Sequence, residues 1–149
     1  MRAAAALARA PALLRRVLAA RAPAAARARG LAAAAAPAPP LAEAAFHELA
    51  DAALARAETG AAALEDTVAG ADVSLASGVL TLRVGAAGTF VLNKQTPTRQ
   101  IWWSSPVSGP LRFEYDAARG AWVGARDGVE LFARLAAELK KLGGGDVVF

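Results

Sequence analysis

The sequence predicts an α+β domain: a two-layer α/β sandwich, with N- and C-terminal helices packed on one face of a mainly antiparallel sheet of five to seven strands. Two stretches with apolar residues at helical spacing, around 46–57 and 131–142, carry that prediction. Between them lie short β-rich runs joined by connections too brief for crossovers, so the strands must form an antiparallel meander.

The first helix is read from Phe46, Leu49, Ala50, Ala53 and Ala57, which recur on one face. Glu48, Asp51 and Glu58 fall on its polar side, and Glu65 would continue the series only if the helix survives Thr59–Gly60. Strands are expected at Val73–Leu75 and Val79–Val84, with Ser77–Gly78 as a hairpin turn between them. Thr89–Lys94, Arg99–Ser104, Leu111–Tyr115 and Ala121–Val123 follow, separated by Gly- and Pro-bearing turns. The closing helix repeats Leu131, Leu135 and Leu139 at i, i+4. Asp127, three residues before Glu130, is expected to cap it as a capping box. Lys140 and Lys141 suit its C-terminal dipole, and Gly143–Gly145 ends it. The short remainder to Phe149 promises little packing between the helices.

Charge divides the chain in two. The whole carries +4, but residues 1–42 hold seven arginines and no acid, leaving ten cations against thirteen acids in 43–149, a net of −3. A nucleic-acid reading drawn from the global balance therefore fails. Residues 1–42, with Leu7, Leu13, Leu14, Val17 and Leu18 among alanines and recurring arginines, read as a mitochondrial transit peptide, disordered or transiently helical. The absence of Ser and Thr there favours the mitochondrion over the chloroplast. Its longest uncharged run is broken by Pro37, Pro39 and Pro40 and is too short to span a bilayer. Residues 43–149 form the single folded domain.

With no cysteine and His47 as the lone histidine, thiolate ligands, disulfides, a His-based zinc site and a catalytic triad are all excluded. Metal chemistry would have to use carboxylates, which suit hard cations and leave iron or magnesium open. Period-two alternation assigns the sheet faces. Ile101 and Trp103 share one face; Asn93, Gln95, Gln100, Trp102 and Arg112 share the opposite, exposed one. A tryptophan among Asn, Gln and Arg on a solvated sheet is the composition of a binding hot spot. Packing of Trp102 beside its neighbours' stems is the structural alternative.

The strings Leu92-Asn93-Lys94-Gln95-Thr96-Pro97, Arg99-Gln100-Ile101-Trp102, Ser104-Ser105-Pro106 and Ser108-Gly109-Pro110 resemble the frataxin signature nearly residue for residue. Asp72-Val73-Ser74, Ser77-Gly78-Val79-Leu80-Thr81 and Asp127-Gly128-Val129 also match, so the resemblance spans about 43–142. It implies the same α/β sandwich and a role in the mitochondrial matrix as an iron-binding activator of iron–sulfur cluster assembly. The implied partners are a cysteine desulfurase and the iron–sulfur scaffold protein, and the implied action is faster persulfide transfer. Asn93, Gln95, Gln100, Trp102 and Arg112 match family positions that meet that complex. Fe(II) would bind weakly at several sites along an acidic ridge drawn from Glu48, Asp51, Glu58, Glu65, Asp66 and Asp72. Ala61, Ala62, Ala63, Ala69 and Ala71 thin that ridge, and Asp72 carries over most directly. The same carboxylates could simply keep the helix soluble. The family's ferroxidase assignment, or an iron-chaperone role storing Fe(II), is the alternative function. A monomer that iron can drive into oligomers is the implied state, with no nucleic acid and no membrane span.

Overall fold

The computed structural model describes residues 41–149, so the transit-peptide reading lies outside the described residues except for its last two. Helix α1 (Glu43–Ala61) and a single turn α2 (Leu64–Thr67) precede six strands. These are β1 (Asp72–Ala76), β2 (Val79–Arg83), β3 (Thr89–Gln95), β4 (Gln100–Ser105), β5 (Gly109–Asp116) and β6 (Ala121–Gly124), and helix α3 (Leu131–Lys141) closes the chain. The strands lie in sequence order in one sheet, and every neighbouring pair is antiparallel. This is the two-layer sandwich the sequence predicts.

Alternation sorts the strands into two faces. Leu80, Leu82, Phe90, Leu92, Ile101, Trp103, Phe113 and Trp122 are all buried beneath the helices. They meet Phe46, Ala50, Leu54 and Ala57 of α1 and Leu131, Leu135 and Leu139 of α3 in one core. Each fully buried Phe or Leu contributes about 1.5–3 kcal/mol. Edge-on contacts of Trp103 with Phe90 (5.7 Å) and of Trp122 with Phe46 (6.0 Å) fix how the aromatic layer interdigitates. The Ser77–Gly78 turn has positive φ at both residues, 51° and 75°, the type I′ geometry that matches strand twist.

Four local expectations are corrected. First, α1 continues through Gly60 to Ala61. A helical glycine costs about 1 kcal/mol, but Ala57 and Ala61 are buried on either side of it. Second, the short C-terminal segment does pack between the helices. Val147 and Phe149 lie against the core, and the Phe149 ring is 5.7 Å from Phe132 of α3. Arg56 of α1 donates to the Phe149 carbonyl at 2.7 Å and stacks over Phe132 at 4.2 Å. Third, Glu130 and not Asp127 caps α3: its carboxylate accepts from the Ala133 N–H at 2.8 Å. Residue 130 is still extended because it pairs with Val123 across an isolated bridge. Asp127 instead closes the preceding turn, accepting from the Val129 N–H. Fourth, Arg99 is not in β4. A 3-10 turn at Thr96–Thr98, with Pro97 inside it, leaves Arg99 left-handed at φ 53° before the strand starts at Gln100.

Candidate partner-docking face

The sheet face turned away from the helices carries two parallel cross-strand rungs. Asn93 of β3 lies opposite Trp102 of β4, which lies opposite Arg112 of β5. Two residues along, Gln95 opposes Gln100 and Gln100 opposes Glu114. Directly opposed side chains in antiparallel strands sit about 4.5–5.5 Å apart at Cβ, so all five sequence-predicted residues form one patch. The parity read from alternation is the observed one: Trp103 is 2 % exposed in the core while Trp102 is half-buried on the outer face.

Hydrogen bonds hold the patch in a fixed arrangement. The Trp102 indole N–H donates to Gln100 Oε1 at 3.1 Å, and the Gln100 amide donates onward to Glu114 Oε1 at 2.7 Å. The Arg112 guanidinium stacks 4.9 Å from the Trp102 ring centroid, an attraction of about 0.5–1 kcal/mol at exposed sites. Trp102 is thus oriented from two sides while its remaining surface stays open, which reduces the rotamer entropy that docking would cost. Glu114 was not singled out as a site residue by the sequence. Alternation turns it outward with Arg112, but that it lies opposite Gln100 is set by strand register, which alternation does not reveal.

The acidic residues are dispersed. Glu48 and Asp51 are exposed on α1 and Glu58 is half-buried near its end; Glu65 and Asp66 occupy α2, and Asp72 opens β1. Three are engaged elsewhere. Asp51 takes the Lys94 ammonium at 2.6 Å, Asp72 lies 3.4 Å from Arg83, and Glu65 accepts the Val73 N–H at 2.8 Å on the sheet edge. Among the described residues no three His, Asp or Glu side chains come together as a metal-binding group. Also among the described residues, no helix is long and apolar enough to cross a membrane.

A family model described as a frataxin-like domain matches residues 39–145. The chain belongs to the frataxin family. Among curated frataxins, the mitochondrial protein of Dictyostelium discoideum is 53% identical over 77 residues, covering 52% of this chain and 40% of its own length. The mitochondrial frataxin of Arabidopsis thaliana is 52% identical over 75 residues, covering 50% of this chain and 40% of its own length. The match therefore spans about two-fifths of those relatives' length. Of solved structures, a trimeric frataxin from the yeast Saccharomyces cerevisiae, complexed with ferrous iron, superposes with a TM-score of 0.57. It is 42% identical and covers 64% of this chain and 86% of its own. A frataxin from Psychromonas ingrahamii, 24% identical with a TM-score of 0.60, covers 72% of this chain and 96% of its own; it shows the fold alone.

Proposed function

We propose that this frataxin acts in the mitochondrial matrix as an activator of iron–sulfur cluster assembly. It docks through the Trp102 face on the complex of a cysteine desulfurase with the iron–sulfur scaffold protein and accelerates persulfide transfer. The carrying observation is the rung Asn93–Trp102–Arg112, an aromatic anchor with polar neighbours on three adjacent strands. Trp and Arg are the side chains most often found as energetic anchors in protein interfaces, and this pair is already stacked. Mitochondrial naming of the relatives supports the compartment. Residues 1–42, acid-free and Arg-bearing, would serve as the import leader.

Iron enters as cargo. Scattered carboxylates attract a divalent cation and leave most of its shell to water, so affinity is low and spread over several positions. The yeast relative with ferrous iron motivates a second reading, an iron chaperone or ferroxidase that oxidises or stores Fe(II). Oxidation by a paired-iron route needs several carboxylates around two closely spaced ions, and the dispersal of Glu48, Asp51, Glu58, Glu65, Asp66 and Asp72 weighs against it.

The two readings separate in one assay. Cluster assembly on a purified desulfurase–scaffold complex is followed with the unmodified chain, with Trp102→Ala, and with Glu48, Asp51, Glu65, Asp66 and Asp72 replaced by neutral isosteres. The docking reading expects stimulation that Trp102→Ala removes and the carboxylate variant largely keeps. The reverse pattern would sink it and favour iron handling.

A further inference from the structure

We infer that a groove beside the Trp102 face holds a carboxylate side chain of the docking partner between Arg112 and Arg126; this deepens the docking reading above and rests on it. The groove, of ≈ 470 Å³, is bounded by Trp102, Pro110, Arg112, Glu114, Arg126 and Asp127. It exists because β6 is short. β6 pairs only with Phe113–Asp116 of β5, and beyond it the chain turns away at Ala125, leaving Gly109–Leu111 on an open edge.

Charge decides what fits. Arg83, Lys94, Arg99, Arg134 and Lys140 each have a carboxylate partner. Among the described residues, Arg56, Arg112, Arg119, Arg126 and Lys141 have none; Arg56 and Arg119 donate to backbone carbonyls, whereas Arg112 and Arg126 make no hydrogen bond and both wall this groove. Of the acids in the same walls, Asp127 is paired with Arg134 and accepts from the Val129 N–H. Glu114 accepts from the neutral Gln100 amide and keeps its charge, so Arg112 and Arg126 leave the groove one positive charge in excess. Two uncommitted guanidinium groups in one cleft call for an anion that accepts from both.

The occupant docks by side chain rather than by adding a strand. The Arg112 carbonyl points to the open side, where it accepts from the Ala125 N–H at 2.9 Å. Alternation turns the backbone of residue 110 the same way, and Pro110 has no N–H to offer there. A protein carboxylate fits better than a free anion because Trp102 and Pro110 give an apolar wall for its stem beside the charged one. Arg126 is thus a partner-selecting residue, added to the face that alternation identifies.

The test measures binding of the full chain to the desulfurase–scaffold complex across a salt series, for the unmodified protein, Arg126→Glu, Arg126→Lys and Trp102→Ala. Arg126 is exposed and makes no hydrogen bond or ion pair among the described residues, so Arg126→Glu should fold normally, checked by thermal melting. Arg126→Glu should weaken binding about tenfold at low salt, with the deficit shrinking as salt screens the pair, while Arg126→Lys stays within about threefold. If Arg126→Glu binds as tightly as the unmodified chain while Trp102→Ala is weakened, the groove assignment is overturned and docking stands. No binding by the unmodified chain overturns both. Millimolar inorganic phosphate at matched ionic strength should compete no better than chloride. Competition that depends on Arg126 would assign the groove to a free anion and overturn the carboxylate.

Discussion

The Lys94 ammonium lies 2.6 Å from Asp51 Oδ1, joining the centre of the sheet to α1. Lys94 belongs to the motif Leu92–Pro97, yet alternation turns it inward, away from its neighbours Asn93 and Gln95 on the docking face. Its Nζ also approaches His47 Nδ1 at 3.4 Å. The lysine head is mostly covered while Asp51 is largely open, so solvent screens much of the pair. Lys94→Met, which keeps the stem, should cost about 0.5 kcal/mol, and Lys94→Ala about 1–1.5 kcal/mol by adding lost packing. Urea unfolding of the two variants checks the difference. Equal losses would mean that the ion pair contributes nothing.

Trp102→Ala should leave the fold intact and impair docking. The side chain is half-buried on the outer face and packs on Arg112 and Gln100 rather than on the core. Removing a central interface tryptophan costs about 2 kcal/mol or more, roughly 30-fold in affinity. Asn93→Ala, one strand away on the same rung, should cost less. Thermal melts within a few degrees of the unmodified protein, together with lost stimulation, are the expected pair of results.

How much of this was readable in the residues follows from what alternation can and cannot encode. Parity along β3, β4 and β5 places Asn93, Trp102 and Arg112 on one face, because side-chain direction repeats every two residues whatever the partner strand. Opposition is a different matter. That Gln100 faces Glu114 depends on register, set by the turn between Ser105 and Gly109, which periodicity does not report. Loop residues follow no period, so Arg126 carried no signal. The acidic ridge was legible as composition only. Asp51, Glu65 and Asp72 are drawn to Lys94, the Val73 N–H and Arg83, contacts that link residues far apart in sequence or across strands.

The start of α3 divides its work between two acids that the sequence presents as one motif. Glu130→Ala removes the side chain that accepts from Ala133 and should cost about 1 kcal/mol. Asp127 acts on the turn before it. The Val129 N–H, followed by Arg134, holds its carboxyl below the ordinary 3.8. A depressed folded pKa means the stabilisation is complete above the unfolded value and is lost as pH falls through the folded one. Asp127→Asn should therefore melt below the unmodified protein by a constant margin above about pH 5, and the margin should close as pH drops below 3.8. A margin independent of pH down to strongly acidic conditions would remove the charge from the explanation.

Gly60→Ala tests the contact between the end of α1 and the C-terminal segment. By helix propensity alone the substitution should stabilise by about 1 kcal/mol, since glycine is the weaker helix former. The structure reverses that expectation. A Cβ at Gly60 would collide with the Phe149 ring, which packs against the helix end, and would meet the Val148 carbonyl at 3.0 Å. Accommodating it requires the ring to leave its place beside Phe132, and loosens the Arg56 contact with the Phe149 carbonyl. Gly60→Ala should therefore be neutral or destabilising by about 1 kcal/mol, within the range for small overpacking. Phe149→Ala alone should destabilise by lost burial. The double variant carries the diagnosis: with the ring gone, the alanine introduced in place of Gly60 regains most of its propensity advantage, so the two changes should fall short of additivity. Thermal melts of the four proteins give the coupling. Additive losses would mean that Phe149 does not rest on the helix in solution, and that α1 passes through Gly60 for the sake of Ala57 and Ala61 alone.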